Sequence, residues 1–188
     1  MLSYDYIIDL LTESCGIIPI IKEAKDIQDI SFAYPFLEIV HRSNQTAKEL
    51  DLLKSCSVLI SVGTILSYED LHMCKKKRIS IVFSPHIDTH LFQYSKLQEI
   101  LMIPGVSNST QIMTAYKLGA KIVKFFPCHC KDRINELKQY CQVFKHLDLY
   151  FIATGGITEE LYKEILSIPK VIAVGSSSIK NITNSIDG

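Results

Sequence analysis

The chain has 188 residues, with 20 Lys and Arg against 20 Asp and Glu and no net formal charge at pH 7. That balance argues against the basic footprint of a nucleic-acid or membrane-surface binder, and no apolar run reaches the length of a transmembrane helix. Asp5 and Asp9 interrupt the apolar residues of the N-terminus, which lacks a signal-peptide pattern, so a cytoplasmic protein without nucleic-acid or membrane partners is expected.

Apolar runs with strand character follow one another at Gly16–Ile21, Phe36–Val40, Val58–Gly63, Ile79–Ser84, Ile100–Val106, Ala120–Pro127, Leu149–Gly155 and Val171–Gly175. Their near-continuous apolarity suits a parallel sheet covered on both faces. Between them, helices are predicted at Ala47–Lys54, Tyr68–Lys76, Asp88–Gln98, Ser109–Leu118, Asp132–Phe144 and Thr158–Leu166. Ser67 with Asp70, and Thr158 with Glu160, suit helix starts, and Gly119 suits a helix C-cap. The basic run from Lys75 to Arg78 reads as a solvated helix end, where cations complement the macrodipole. Strands alternating with helices predict a (β/α)8 TIM barrel, a single α/β domain over residues 1–188. An open doubly wound sheet is the alternative, but no Gly-x-Gly-x-x-Gly follows the first strand. The barrel is expected to be compact. The stretch between Ile21 and Phe36 leaves room only for a short or irregular first helix, and the tail after Gly175 implies a reduced or missing last one.

Within AKIVKFFP, strand alternation puts Ile122, Lys124 and Phe126 on one face. A lone ammonium there is costly to desolvate, which favours the neutral amine that attacks carbonyls. The alternative is a lysine whose head reaches water from a strand edge. In FLEIVHR, even spacing puts Glu38, Val40 and Arg42 on one face, so a carboxylate and a guanidinium would enter one pocket. Glu38 is then a candidate proton shuttle; an internal ion pair is the structural alternative. Thr64 ends the third strand beside Gly63, Ser84-Pro85-His86 the fourth, and Pro104-Gly105 the fifth.

The last two strand ends are rich in glycine and small hydroxyls: Thr154, Gly155 and Gly156, then Gly175, Ser176, Ser177 and Ser178. Loops after strands seven and eight of a barrel often hold phosphate with backbone N–H groups and a helix N-terminus. Ordinary turn glycines are the alternative. Six cysteines are scattered and expected to be reduced thiols. Cys128-His129-Cys130 is their one cluster, and it lacks the second ligand pair of a structural zinc site, so no metal is expected.

Together, FLEIVHR, VGTIL, FSPH, IPGVSNSTQIMTA, KFFP, TGGI and VGSSS resemble, in order and over nearly the whole chain, the aldolases that cleave 2-keto-3-deoxy-6-phosphogluconate and 4-hydroxy-2-oxoglutarate. The resemblance implies a class I enzyme that needs no cofactor, takes a small keto acid and assembles as a homotrimer. It makes Lys124 the Schiff-base residue and Glu38 the general acid/base. Arg42, Thr64, Pro85, Phe126 and Thr154 would surround the substrate, and Gly155, Gly156, Gly175, Ser176 and Ser177 its phosphate. The products would be pyruvate and glyceraldehyde 3-phosphate. The same chemistry on 4-hydroxy-2-oxoglutarate or a galactonate epimer stays open, as does a reduced relative that binds without turnover. Departures from the family pattern are Cys128-His129 after KFFP, Lys22 where many relatives have arginine, and Ser176 and Ser178 near the end.

Overall fold

The computed structural model describes residues 2–23, 34, 36–42, 44–53 and 58–178. Among these, β1 (Ile17–Ile21), β2 (Phe36–Val40), β3 (Leu59–Gly63), β4 (Ile81–Phe83), β5 (Leu101–Ile103), β6 (Gly105–Val106), β7 (Ile122–Phe125), β8 (Tyr150–Thr154) and β9 (Val171–Ser176) form one parallel sheet. Its order is β5-β4-β3-β2-β1-β9-β8-β7-β6. The two edges, β5 and β6, are therefore neighbours in sequence, and the sheet is a nearly closed barrel.

Pro104 is the seam. The sequence predicts one strand over Ile100–Val106, but a proline has no N–H to place in a ladder. The chain changes partner there: β5 pairs with β4 and β6 with β7. The Pro104 carbonyl still accepts the Lys124 N–H at 2.9 Å, which stitches the seam beside the site.

The helices are α1 (Tyr4–Thr12), α2 (Asn44–Leu52), α3 (Tyr68–Lys76), α4 (Thr89–Leu97), α5 (Ser109–Lys117), α6 (Lys131–Val143) and α7 (Glu159–Leu166). Most lie within a residue or two of their predicted spans; α2 begins three residues before the predicted Ala47. Ser67 and Asp70 form a reciprocal capping box on α3. Gly119 follows α5 at φ +90°. At the end of α3, Lys75 pairs with Glu99 and Lys77 with Asp51.

Helix α1 adds to the predicted set. Its two aspartates interrupt the apolar run, yet Tyr4, Ile7, Ile8 and Leu11 repeat at helical spacing behind the N-cap Ser3, whose hydroxyl accepts from the Tyr6 N–H. Ile7 and Leu11 join the apolar cluster inside the barrel, with Ile18, Phe36, Ile81, Phe83, Ile103, Ile122 and Ile152. Asp5 pairs with Lys121, just ahead of β7, so α1 plugs the N-terminal end of the barrel. A second, larger cluster fills the layer between sheet and helices, including Leu37, Ile39, Val62, Val123, Phe125 and Phe151. Strand alternation feeds both cores, one from each face.

The predicted irregular first helix and reduced last helix fall chiefly on residues 24–33 and 179–188, outside the described residues. Among the described residues, no helix is long and apolar enough to cross a membrane.

Candidate active site

Lys124 projects from β7 into the barrel, two residues beyond Ile122 of the inner cluster, and is 8% exposed. Its Nζ lies 2.8 and 3.1 Å from the two carboxylate oxygens of Glu38, which projects inward from β2 and is 2% exposed. The sequence reading of a lone ammonium is corrected: the amine has a carboxylate partner. It also lies 5.0 Å from the centre of the Phe83 ring, at a distance where a cation is attracted to the ring face. Both charges stand near the C-terminal ends of their strands, the end at which barrels carry chemistry.

Two glycines make the room. A Cβ at Gly63 would lie 1.9 Å from Glu38 Oε1, and its three nearest atoms would all belong to Glu38. A Cβ at Gly105 would lie 2.2 Å from the carbonyl carbon and oxygen of Pro85. The first glycine admits a side chain; the second lets two backbones cross.

Lys121, the other lysine of AKIVKFFP, is unsuited to nucleophilic attack. It sits at the opposite end of β7, 2.9 Å from both Asp5 and Asp148. The hydrogen bond to Asp5, then that to Asp148, holds its ammonium above the ordinary lysine range.

The other predicted residues separate by position. Strand β2 ends at Val40, so strand alternation does not reach Arg42. Arg42 is exposed past the strand's end, its N–H donating to Thr46 Oγ1 at 3.2 Å. Phe126 likewise lies past the end of β7, is 38% exposed and does not share a strand face with Lys124. Its ring lies against Gly155. Thr64 has φ +65°, a strained conformation for a β-branched residue, worth about 1–3 kcal/mol. Pro85 is partly buried against Gly105. Thr154 is 1% exposed, and among the described residues its Oγ1 is buried without a hydrogen-bond partner.

Gly155 and Gly156 have φ of +90° and +77°. Side chains there would meet Phe126 and His129, respectively, so the loop after β8 packs directly on the loop after β7. The Cys128 N–H bolts the two together, donating to the carbonyls of Thr154 at 2.8 Å and Gly155 at 3.1 Å. Gly175 admits the Thr154 methyl and Ile20. Ser176 is buried, and its hydroxyl is committed to the Ile157 carbonyl and the Ser178 N–H, each at 3.1 Å. Ser177 is exposed. Helix α7 starts at the N-cap Thr158 without a side-chain cap, and the Leu161 N–H donates to the Thr158 carbonyl at 3.1 Å.

Among the described residues, no group of three or more His, Cys, Asp or Glu side chains is placed to hold a metal ion. Cys128 is fully buried and burial pushes its thiol up to about 11, so it stays protonated near neutral pH. Two neighbours of the site escape the sequence reading: His41, whose Nε2 lies 3.1 Å from Asp70 Oδ1, and His129, packed beside Gly156. HR at the end of FLEIVHR is the available signal for the first. Nothing in the sequence marks the second as a neighbour of the glycine loop.

Comparison with known proteins identifies the family. The family model described as KDPG and KHG aldolase matches residues 12–186. A 2-dehydro-3-deoxy-phosphogluconate aldolase of Zymomonas mobilis is 26% identical over 163 residues, covering 80% of this chain and 77% of that protein. One from Pseudomonas aeruginosa is 26% identical over 179 residues, covering 90% and 80%. A KDPG aldolase structure from Legionella pneumophila, with pyruvate captured as a covalent carbinolamine intermediate, superposes with a TM-score of 0.79 at 28% identity, covering 95% of this chain and 91% of that one. With a match that runs from the end of α1 past β9, this chain belongs to the KDPG and KHG aldolase family and is a carbon–carbon lyase.

Proposed function

We propose that the chain cleaves 2-keto-3-deoxy-6-phosphogluconate to pyruvate and glyceraldehyde 3-phosphate through a Schiff base on Lys124, working as a homotrimer. The observation that carries this reading is the buried Lys124–Glu38 pair, 2.8 Å apart at the C-terminal end of the barrel. The carbinolamine in the Legionella relative supports it.

The pair accounts for each proton. Glu38 takes one from the Lys124 ammonium, and the free amine attacks the keto carbon. The excess proton on the nitrogen passes to the former carbonyl oxygen to give a neutral carbinolamine. Glu38 then protonates the departing hydroxyl, water leaves, and an iminium remains. Glu38, again ionised, takes the C4 hydroxyl proton. The C3–C4 bond breaks with its electrons flowing to the iminium nitrogen, and the aldehyde departs. The enamine carbon recovers the proton from Glu38, and water hydrolyses the iminium to pyruvate and the lysine ammonium. One group acting in both directions is typically worth about a hundred- to ten-thousand-fold. Arg42, Thr64, Pro85, Phe126 and Thr154 would line the keto-acid end. Gly155, Gly156, Gly175 and Ser177 would face the phosphate, with Ser176 bracing the loop from behind.

Borohydride added with pyruvate tests the mechanism. A pyruvate-derived mass should appear on Lys124 and be absent in Lys124→Met. An adduct on Lys121, or none, would sink the proposal. A second reading, cleavage of 4-hydroxy-2-oxoglutarate, is favoured by the family's dual description. It shares every step at Lys124 and differs only in needing no phosphate site; the galactonate epimer differs at C4 alone.

A further inference from the structure

His41 stands one residue past β2, and its backbone N–H donates to the Gly63 carbonyl at 2.9 Å. Past the strand's end, its side chain reaches the first turn of α3. There its Nε2 lies 3.1 Å from Asp70 Oδ1, the two side chains being 18% and 17% exposed. Among the described residues, its Nδ1 is buried with no hydrogen-bond partner. Burying an unpaired polar atom is penalised, and an apolar side chain would fill the same space without that penalty. What the imidazole gains must therefore come through Asp70.

Asp70 Oδ2 accepts the N–H groups of Leu66 at 2.9 Å and Ser67 at 3.0 Å. The Ile65 N–H is held by the Phe83 carbonyl at 3.0 Å. These bonds brace the chain immediately after Thr64. Among the described residues, the other non-glycine positions at positive φ, Arg78, Glu99 and Lys170, have unbranched Cβ atoms; Thr64 is β-branched. Such strain persists only where the surroundings over-determine it, and it concentrates at functional sites. Thr64 follows Gly63, whose Cα is the surface on which the Glu38 carboxylate rests.

We propose that His41 is a positioning residue: by holding Asp70 over the Leu66 and Ser67 amides, it clamps Thr64 in its left-handed backbone and so fixes the keto-acid end of the site. The kinetic consequence rests on the Lys124 mechanism above; the clamp itself does not.

The test is a double-mutant cycle with two readouts. His41→Phe keeps a ring in place but removes the bond to Asp70. Amides 65–67 should then exchange hydrogen faster, and the rate of pyruvate trapping on Lys124 should fall about ten- to a hundred-fold, as for a remote change that misplaces a reacting group. Thr64→Gly adopts positive φ without strain. In that background His41→Phe should cost no further trapping activity, although it still removes the same buried contact. A merely structural histidine would instead give equal losses whether position 64 holds threonine or glycine. His41→Leu, which also lacks the bond to Asp70, should reproduce the His41→Phe result if that variant does not fold. Unchanged amide exchange, or additive losses, would overturn the clamp. If the wild type fails to trap pyruvate, the Schiff-base mechanism falls, and amide exchange alone then decides the clamp.

Discussion

A Cβ at position 63 would occupy the place of the Glu38 carboxylate, and its three nearest atoms all belong to that side chain. Gly63 is not at positive φ, so alanine meets no backbone strain there. Gly63→Ala is expected to push the carboxylate away from Lys124 and lower turnover about a hundred- to ten-thousand-fold, the range of a lost acid/base. The comparison is with Glu38→Gln. The two single variants should be similarly slow, and the double variant no slower than Glu38→Gln. Wild-type turnover in Gly63→Ala would show that Glu38 acts from elsewhere or not at all. Position 105 contrasts with this. An added Cβ there meets the Pro85 backbone, which cannot swing aside as a side chain can.

Among the elements, the loops after β7 and β8 act as one body, joined by the Cys128 N–H and the packing of Phe126 and His129 on Gly155 and Gly156. This affects how a phosphate site is tested. A side chain at Gly156 would meet His129 and a left-handed backbone together, so such a variant mixes distortion with chemistry. Ser177 is exposed and suffers neither problem. Ser177→Asp should raise KM for 2-keto-3-deoxy-6-phosphogluconate about tenfold or more, equivalent to roughly 1.4 kcal/mol. KM for 4-hydroxy-2-oxoglutarate, which has no phosphate to repel, should stay put. Equal increases for both substrates would mean the loop was damaged; no increase for either would move the phosphate away from the end of β9, with Lys22 the next residue to change.

Strand and helix spans are legible where local chemistry decides them. Ser67 and Asp70 cap α3 through neighbouring backbone N–H groups, and the predicted span Tyr68–Lys76 is the observed one. Helix α1 is legible too, from its apolar spacing, but its two aspartates obscure it. The break at Pro104 is less so. Proline signals a missing donor, yet which strand takes which half depends on the whole ring. Glu38 and Lys124 each stand out as a charge inside an apolar run, whereas Arg42 lies two residues past the end of β2 at Val40, where strand alternation no longer applies.

For the whole molecule, the proposed homotrimer predicts a particle three times the 21.3 kDa chain. Leu66 and Tyr68 are 54% and 45% exposed, Tyr68 with its ring against Tyr94, and they offer apolar surface for a second copy to cover. Sedimentation equilibrium at micromolar concentration should return the trimer mass, and a 21.3 kDa particle would refute it. By itself, the sequence determined that strands and helices alternate, which faces are apolar and which lysine sits among them, because periodicity and capping depend on residues close in the chain. It could not determine that Lys124 would meet Glu38 rather than stand alone. Those residues are 86 positions apart, and they become neighbours only when Pro104 lets the sheet close and Gly63 leaves a side chain's volume empty. Likewise, the bond from His41 to Asp70 and the seat of His129 beside Gly156 exist only once loops from different strands meet at one end of the barrel. Contacts of that kind are set by the geometry of closure, which no local pattern of residues records.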